Sequence, residues 1–560
     1  MPEFLLELLS EEIPARMQER AADDLKCLVT ASLERVGLGF TSARAFVTPR
    51  RLTLVFDGLP EKQPDVSEER RGPRANSSEK AVAGFKRSLP NEAVIQRRET
   101  EKGCYHFAVV NIKGRETVDV LAEIIPGALC DVPWPKSMRW ADYDFRWVRP
   151  IHSVIAIFNG LAITFSWSGV EAGLSTVGHR FLAPDTFEVS NFADYREKLL
   201  NAKVMLDANE RRTHIWFEAE KLAAAEGLTV LDDPALLDEV TGLVEWPLVY
   251  MGSIEDGFMD VPSEVLVTTM RSHQKYFSCL DANRNVANRF IMVANTETKD
   301  SGEKVIRGNE RVLKARLSDA KYFWDQDRKT TLLSKTDALK NRIFHAQLGT
   351  LDEKAARVQV LATEIASYVK NADKDQVGLA AQLAKADLSS EMVGEFPDLQ
   401  GVMGRYYAIH DGYSRDVADA IAEHYSPLGP NDECPSKSIS VCISLADKID
   451  SLVGLFALDE KPSGSKDPFA LRRTALGIAR ILIENGIRLN LRDAFGVSIG
   501  TYLTQQNSAI AEKLTNAASK FNDSITWDLR NLFEVIHGPE LFGFFVDRMK
   551  VQLKERGVRH

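Results

Sequence analysis

Three residues of the 560-residue chain, His345, Asp387 and Asp447, carry donors that hard or borderline divalent metals accept. Gathered in one place, such donors would activate water against a phosphate ester. A second chemistry needs positive charge. Between Lys304 and Trp324, Arg307, Arg311, Lys314 and Lys321 recur at steps of +4, +3 and +7. That row is spaced for a phosphate backbone. The competing reading is a solvated helix face paired with Glu303, Glu310 and Asp325. Further upstream, Arg139, Arg146 and Arg149 interleave with Trp140, Phe145 and Trp147. Guanidinium and indole planes can stack on unpaired bases. The same residues also suit arginine–tryptophan packing in a core corner, which residue types alone favour.

Single histidines add little. His179 in Gly178-His179-Arg180-Phe181, or His273 in Arg271-Ser272-His273-Gln274-Lys275-Tyr276, could serve as a general base. Neither has an evident carboxylate or serine partner, so structural roles are expected. His410-Asp411 is a literal His-Asp pair, but it precedes Gly412 in an expected loop and reads as incidental. Intact catalytic motifs are missing. Gly464-Ser465-Lys466 lacks the upstream glycine of a phosphate loop and sits close before a proline. There is no G-x-S-x-G elbow and no strand–G-x-G-x-x-G–helix unit. A chain of this length without such a motif is expected to be a subunit or a binding protein.

The elements that must position these residues start with a strand at Phe4–Leu9. A helix follows, with Pro14 in its first turn and a buried stripe of Met17, Ala21, Leu25, Leu28, Ser32 and Val36. Strands at Ala43–Val47 and Leu52–Phe56 flank the turn Thr48-Pro49. Pro60–Asn91 is polar, with Arg70, Arg71, Arg74, Lys86 and Arg87, and reads as a mobile arm or lightly packed insertion. Tyr105–Phe290 reads as α/β, with strand-rich runs at Val154–Phe158 and Ala162–Trp167. Asn309–Asp325 is one long helix with the apolar stripe Ile306, Leu313, Leu317, Ala320 and Trp324 leading into it. Lys335 to about Ile487 is helical, with a loop at Asp459–Pro468, and helix resumes from Thr504 to His560. Leu541–Arg548 presents an apolar face with little chain left to cover it.

Composition bounds the class. The chain is 44% apolar and 27% charged, values of a soluble globular protein with several domains. No run approaches a membrane span, and Met1–Glu12 lacks the basic start of a signal peptide. Six scattered cysteines form no C-x-x-C pair, so a reduced, cytoplasmic compartment is expected. A net charge of −10 argues against non-specific nucleic-acid binding, but not against a local basic track.

Two family resemblances organise these observations. His345, then Ala386-Asp387, then Asp447 in Leu-Ala-Asp-Lys-Ile-Asp resembles the order of the HD phosphohydrolases. That family has histidine where Ala386 stands, so the resemblance implies a vestigial site, kept for shape, that holds no metal. An intact metal-dependent nucleotide phosphohydrolase is the alternative. The second resemblance runs the whole chain. Leu5–Ala15, Thr48-Pro49-Arg50-Arg51-Leu52, Arg149-Pro150-Ile151-His152, Gly178–Phe181 and His273–Phe277 resemble signatures of the bacterial glycyl-tRNA synthetase β subunit. So do Gly308–Leu313 and Glu395–Gly401.

That resemblance implies an aminoacyl-tRNA synthetase subunit that holds tRNA-Gly while a separate α subunit makes glycyl-adenylate. It implies an assembly of two α and two β chains, no catalytic residue and no cofactor on this chain, and ATP and Mg used by the α subunit. The RNA-contact candidates are then Arg139, Arg146, Arg149, Arg307, Arg311 and Lys314. The implied fold is α+β and multidomain. It has an N-terminal α/β unit at 1–60 and an α/β body at 61–330 ending in the long basic helix. A helical HD-like domain at 331–500 follows. Residues 501–560 are a helical linker and the start of an anticodon-binding domain, in which Leu532–Arg556 gives only the first helices. Family members run past residue 560, so the chain is expected to be C-terminally truncated.

Overall fold

The computed structural model describes residues 2–90, 93–100, 103–505, 509–519, 529–555 and 557. Two compact units divide the chain. One holds Met1–Ser253 and Gln274–Arg311, the other Ile254–His273 and Val312–His560.

The first unit opens with β1 (Glu3–Ser10), α1 (Ala15–Arg35), β2 (Ser42–Val47) and β3 (Arg51–Asp57). An excursion follows: β4 (Val66–Arg74), α2 (Glu79–Arg87), β5 (Val94–Thr100) and β6 (Gly103–Ile112). Next come α3 (Thr117–Cys130), β7 (Ile151–Phe158), β8 (Leu161–Ala162), β9 (Ser166–Trp167) and β10 (Val170–Gly173). The main sheet runs β2-β3-β1-β7-β10-β9, with β8 on β7. In β1, Leu8 faces Leu52 on one side and Val154 on the other. Residues 1–60 therefore do not stand apart. Their central strand, apolar on both faces, needs β7 as much as β3.

One sheet face (Phe4, Leu6, Leu8) is covered by α1 and α3. The buried stripe of α1 continues through Val29 and Leu33, while Leu28, Ser32 and Val36 are only half-buried. The helix keeps a +4 row from Met17 to Leu33 where a +3 step from Leu25 to Leu28 was expected. Pro14 stands at its N-cap, and Gly37 ends it at φ +73.

Of the two readings of Pro60–Asn91, the lightly packed insertion fits: the segment carries β4 and α2, and α2 buries none of its residues, although Asn91 itself lies outside the described residues. β4, β6 and β5 form an antiparallel three-stranded sheet in that order. The strands escaped the sequence reading because β5 buries none of its residues, so no two-residue apolar alternation marks it. A narrow stem carries this small sheet. Gln63 N–H donates to Arg115 O and Thr117 N–H to Glu61 O, each at 2.9 Å. A Cβ at Gly114 would run into the Gln63 carbonyl, so glycine permits the approach.

The chain goes on through β11 (Ser175–Val177), β12 (Thr186–Glu188), α4 (Phe192–Asn201), α5 (Ala208–Ala225), β13 (Thr229–Val230), α6 (Pro234–Thr241) and β14 (Leu248–Ser253). α7 (Ser263–Thr268) belongs to the second unit. β15 (Phe277–Leu280), β16 (Val286–Ala294) and α8 (Glu303–Asp327) follow. Tyr195 and Leu199 of α4 pack with Leu5, Val55 and Ile155 on the other face of the main sheet. A second sheet, β13-β15-β16-β14, packs on α5 and α6 through Ile215, Leu236, Phe277 and Ile291. α8 is longer than expected, and it buries Leu313, Leu317, Ala320 and Trp324.

The second unit is helical apart from a short hairpin. Its elements are α9 (Leu332–Lys335), β17 (Ile343–His345), β18 (Gly349–Thr350), α10 (Leu351–Ile365), α11 (Lys374–Leu383), α12 (Glu391–Glu395), α13 (Val402–His410) and α14 (Arg415–Glu423). Then come α15 (Ser438–Ala457), α16 (Leu471–Glu484), α17 (Leu491–Thr504), α18 (Ala509–Ala518), α19 (Leu529–Ile536) and α20 (Gly538–Glu555). α15 is buried almost all round, as a central helix must be. The loop expected at Asp459–Pro468 joins α15 to α16. The face of α20 is covered after all: Leu541 and Phe545 are buried, Phe544 packs on Phe456 and Phe542 on Phe495. Arg556, the end of the expected last-domain segment, lies outside the described residues.

Candidate functional site

The signature stretches converge on joints of the fold. Glu7 of β1 is fully buried, between Thr53 and Ile155 in register. Its carboxylate accepts from Thr176 Oγ1 at 2.5 Å and from Tyr195 Oη, and lies 3.3 Å from Arg51 Nε. Arg51, also fully buried, pairs with Glu245 and donates to the Val177 and Gly178 carbonyls. Thr48 Oγ1 donates to Glu245 at 2.7 Å. Burial works against the Arg51 cation, but Glu245 and Glu7 outweigh it and hold it firmly charged. Each charge keeps a partner, the condition under which buried charge is tolerated. At the surface next to this network, His152 Nε2 meets Glu11 at 2.9 Å and Arg180 meets Glu12 at 2.9 Å.

His179 is buried. Its Nδ1 accepts from the Phe181 and Leu182 amides, and burial pushes its pKa down. It shapes a turn. Elsewhere Tyr276 Oη donates to Asn309, joining two more signatures. In the second unit the His273 ring stacks on Phe396 at 5.4 Å. His410 closes α13, where a loop was expected, and Asp411 accepts from the Leu332 amide.

The three candidate metal donors are engaged separately. His345 sits in β17, not in a helix, and its Nδ1 accepts from the Gln347 amide at 3.2 Å. Asp387 is fully buried, and its Oδ2 accepts from the Gly401 and Gly404 amides at the start of α13. Burial pushes its pKa up to about 6. Asp447 lies 3.3 Å from Lys354 Nζ and 3.2 Å from Lys385 Nζ. Burial alone would raise the Asp447 pKa, but the ammonium groups outweigh it and hold it well below the carboxylate range. Lys448 Nζ donates to the Tyr425 and Ser426 carbonyls at 3.0 and 2.9 Å, and burial pushes its pKa down to about 8. Arg357 and Lys354 both hold Asp450. Among the described residues no three His, Cys, Asp or Glu side chains are grouped to hold a metal. The charge beside Asp447 is lysine, which residue spacing did not reveal.

The basic candidates remain at the surface. Arg139 lies 3.7 Å from Asp144, Arg146 donates to Ser137, and Arg149 donates to the Val148 carbonyl. Their aromatic neighbours turn inward instead. Trp147 is 1% exposed and meets Trp134, Phe145 and Trp167, so the packing is ring on ring, not arginine on tryptophan. Along α8, Arg307 pairs with Glu303 at 2.6 Å, Lys314 with Glu255 at 2.6 Å, and Lys321 with Asp260 at 2.8 Å. Glu310 caps Ser253, and Arg311 is exposed. The row is real, but carboxylates neutralise most of it.

The signature stretches thus serve as structural joints of an α/β unit and a helical unit. The sequence model of the glycyl-tRNA synthetase beta subunit matches residues 4–560. The chain is 47% identical to the glycine–tRNA ligase beta subunit of Rhodospirillum centenum, covering all of this chain and 79% of that protein. It is 48% identical to that of Paracoccus denitrificans and 46% identical to that of Dinoroseobacter shibae, covering 78% and 79% of them. The chain belongs to the glycyl-tRNA synthetase beta subunit family. No described helix is long and apolar enough to cross a membrane.

Proposed function

We propose that this chain binds tRNA-Gly and positions its 3′ end for ATP-dependent glycylation in the active site of an α subunit. The observation that carries the reading is the family match across residues 4–560. In this reading two α and two β chains assemble in the cytoplasm, ATP and Mg are used by the α subunit, and this chain binds no cofactor. The gain is positional. Holding tRNA beside the adenylate makes a bimolecular attack effectively intramolecular. Arg139, Arg146, Arg149, Arg307, Arg311 and Lys314 are the proposed phosphate contacts. The second unit acts as an HD-like scaffold, with lysines in place of a metal's charge at Asp447. No observation favours the phosphohydrolase alternative.

The test is glycylation of tRNA-Gly by the isolated α subunit with and without this chain. A large rise on addition is expected. No rise, with the α subunit still forming adenylate and this chain folded, would overturn the reading.

A further inference from the structure

We propose that the open face of the β4–β6–β5 sheet binds an unpaired RNA segment; the proposal rests on the tRNA-holding reading above. Strand alternation sorts the side chains between two faces. Ile95, Arg97 and His106 line the space beneath Val82 and Ala83 of α2. The alternate residues Arg98, Tyr105 and Phe107 lie on the opposite face, with Arg71 in register with Phe107. Arg71 Cζ sits 3.7 Å above the Tyr105 ring. Arg74 Nε donates to Tyr105 Oη at 3.0 Å, and Arg98 Cζ lies 5.8 Å from the Phe107 ring. All three arginines are exposed and Phe107 is half-buried. Glu69 holds Arg98 at 2.6 Å, so that guanidinium is partly neutralised.

Charge singles this module out. Residues 66–112 contain nine Lys and Arg against six Asp and Glu, within a chain of net charge −10. A guanidinium plane lying on tyrosine leaves its outer face free to stack on a base, and phenylalanine offers a second plane. Tyr105 is buried beneath Arg71, and the strand rise sets it about 7 Å from Phe107, so the Arg71 plane and the Phe107 ring can take separate bases. Arg74 and Arg98 flank them for phosphates. Paired bases in a duplex hide the faces such planes need, so the ligand class is unpaired RNA.

Fluorescence anisotropy of labelled tRNA-Gly and of a short unpaired oligoribonucleotide tests this, using the full chain alone and with the α subunit. Phe107→Ala and Arg71→Ala should each weaken binding about tenfold with the melting temperature unchanged. Phe107→Trp should retain binding and show indole quenching when the oligonucleotide is added. Parent-like affinities in both alanine variants, with no quenching, would overturn the proposal and leave the tRNA-holding reading intact. Loss of α-subunit association in these variants at unchanged RNA affinity would make the face a protein-docking surface, which also overturns it. A parent chain that holds no tRNA-Gly, alone or with the α subunit, would remove the reading beneath it.

Discussion

Lys385 Nζ stands 3.2 Å from Asp447 Oδ1, with Lys354 completing the pair of cations on that carboxylate at 3.3 Å. An ammonium on a tether is a counterion the chain cannot lose. The helical unit should therefore keep its melting temperature in excess chelator, which differential scanning fluorimetry checks. A clear drop would mean that a divalent cation holds the unit together.

Removing the carboxylate should be costly. Asp447→Asn leaves Lys385 without its ion pair and Lys354 with Asp450 alone, and breaking such a buried pair costs about 3–5 kcal/mol. Urea denaturation should show the loss. A cost below about 1 kcal/mol, the value typical of exposed pairs, would show that water screens the site.

Asp387 gives a pH signature of defined sign. Its pKa is pushed up to about 6 from 3.8 by burial, so folding favours the protonated form. That contribution is fully present below the unfolded value and is lost as pH rises through about 6. Relative to Asp387→Asn, the parent should lose stability between those limits, by roughly 3 kcal/mol at most. Parallel denaturation midpoints for both proteins across the window would refute it.

In the first unit, Arg51→Met strands two buried carboxylates, Glu7 and Glu245. A loss of about 3–5 kcal/mol is expected on chemical denaturation, large enough to reduce soluble yield. An unchanged midpoint would mean that the carboxylates protonate at little cost.

Of the α8 cations, Arg311 is the one to test, because Arg307 and Lys314 already face carboxylates. Arg311→Ala should weaken tRNA-Gly binding and lower the salt slope by about one. An unchanged slope would remove it from the interface.

These residues also mark how far sequence alone reaches. The strands β1, β3 and β7 and the stripe of α8 were legible because apolar periodicity is local. The Glu7–Arg51–Glu245 network was not, because its members lie 44 and 194 residues apart and a buried acid looks like any other acid until its partner is placed. Asp447 shows a different limit. A carboxylate is satisfied equally by a metal or by lysine, and spacing does not distinguish them. The excursion was legible as an insertion but not as a sheet, because β5 buries none of its residues and leaves no hydrophobic signature to read.

The stem beneath that excursion has a consequence for how such a chain can be edited. Asp65 Oδ1 accepts from the Gly114 amide at 2.8 Å, so the two ends of the inserted stretch already touch. A gene deletion that joins them through a tight turn would ask almost nothing of the strands on either side. Deletion of residues 66–112 is therefore expected to leave the sheet that hosts them folded, as removal of a cassette would.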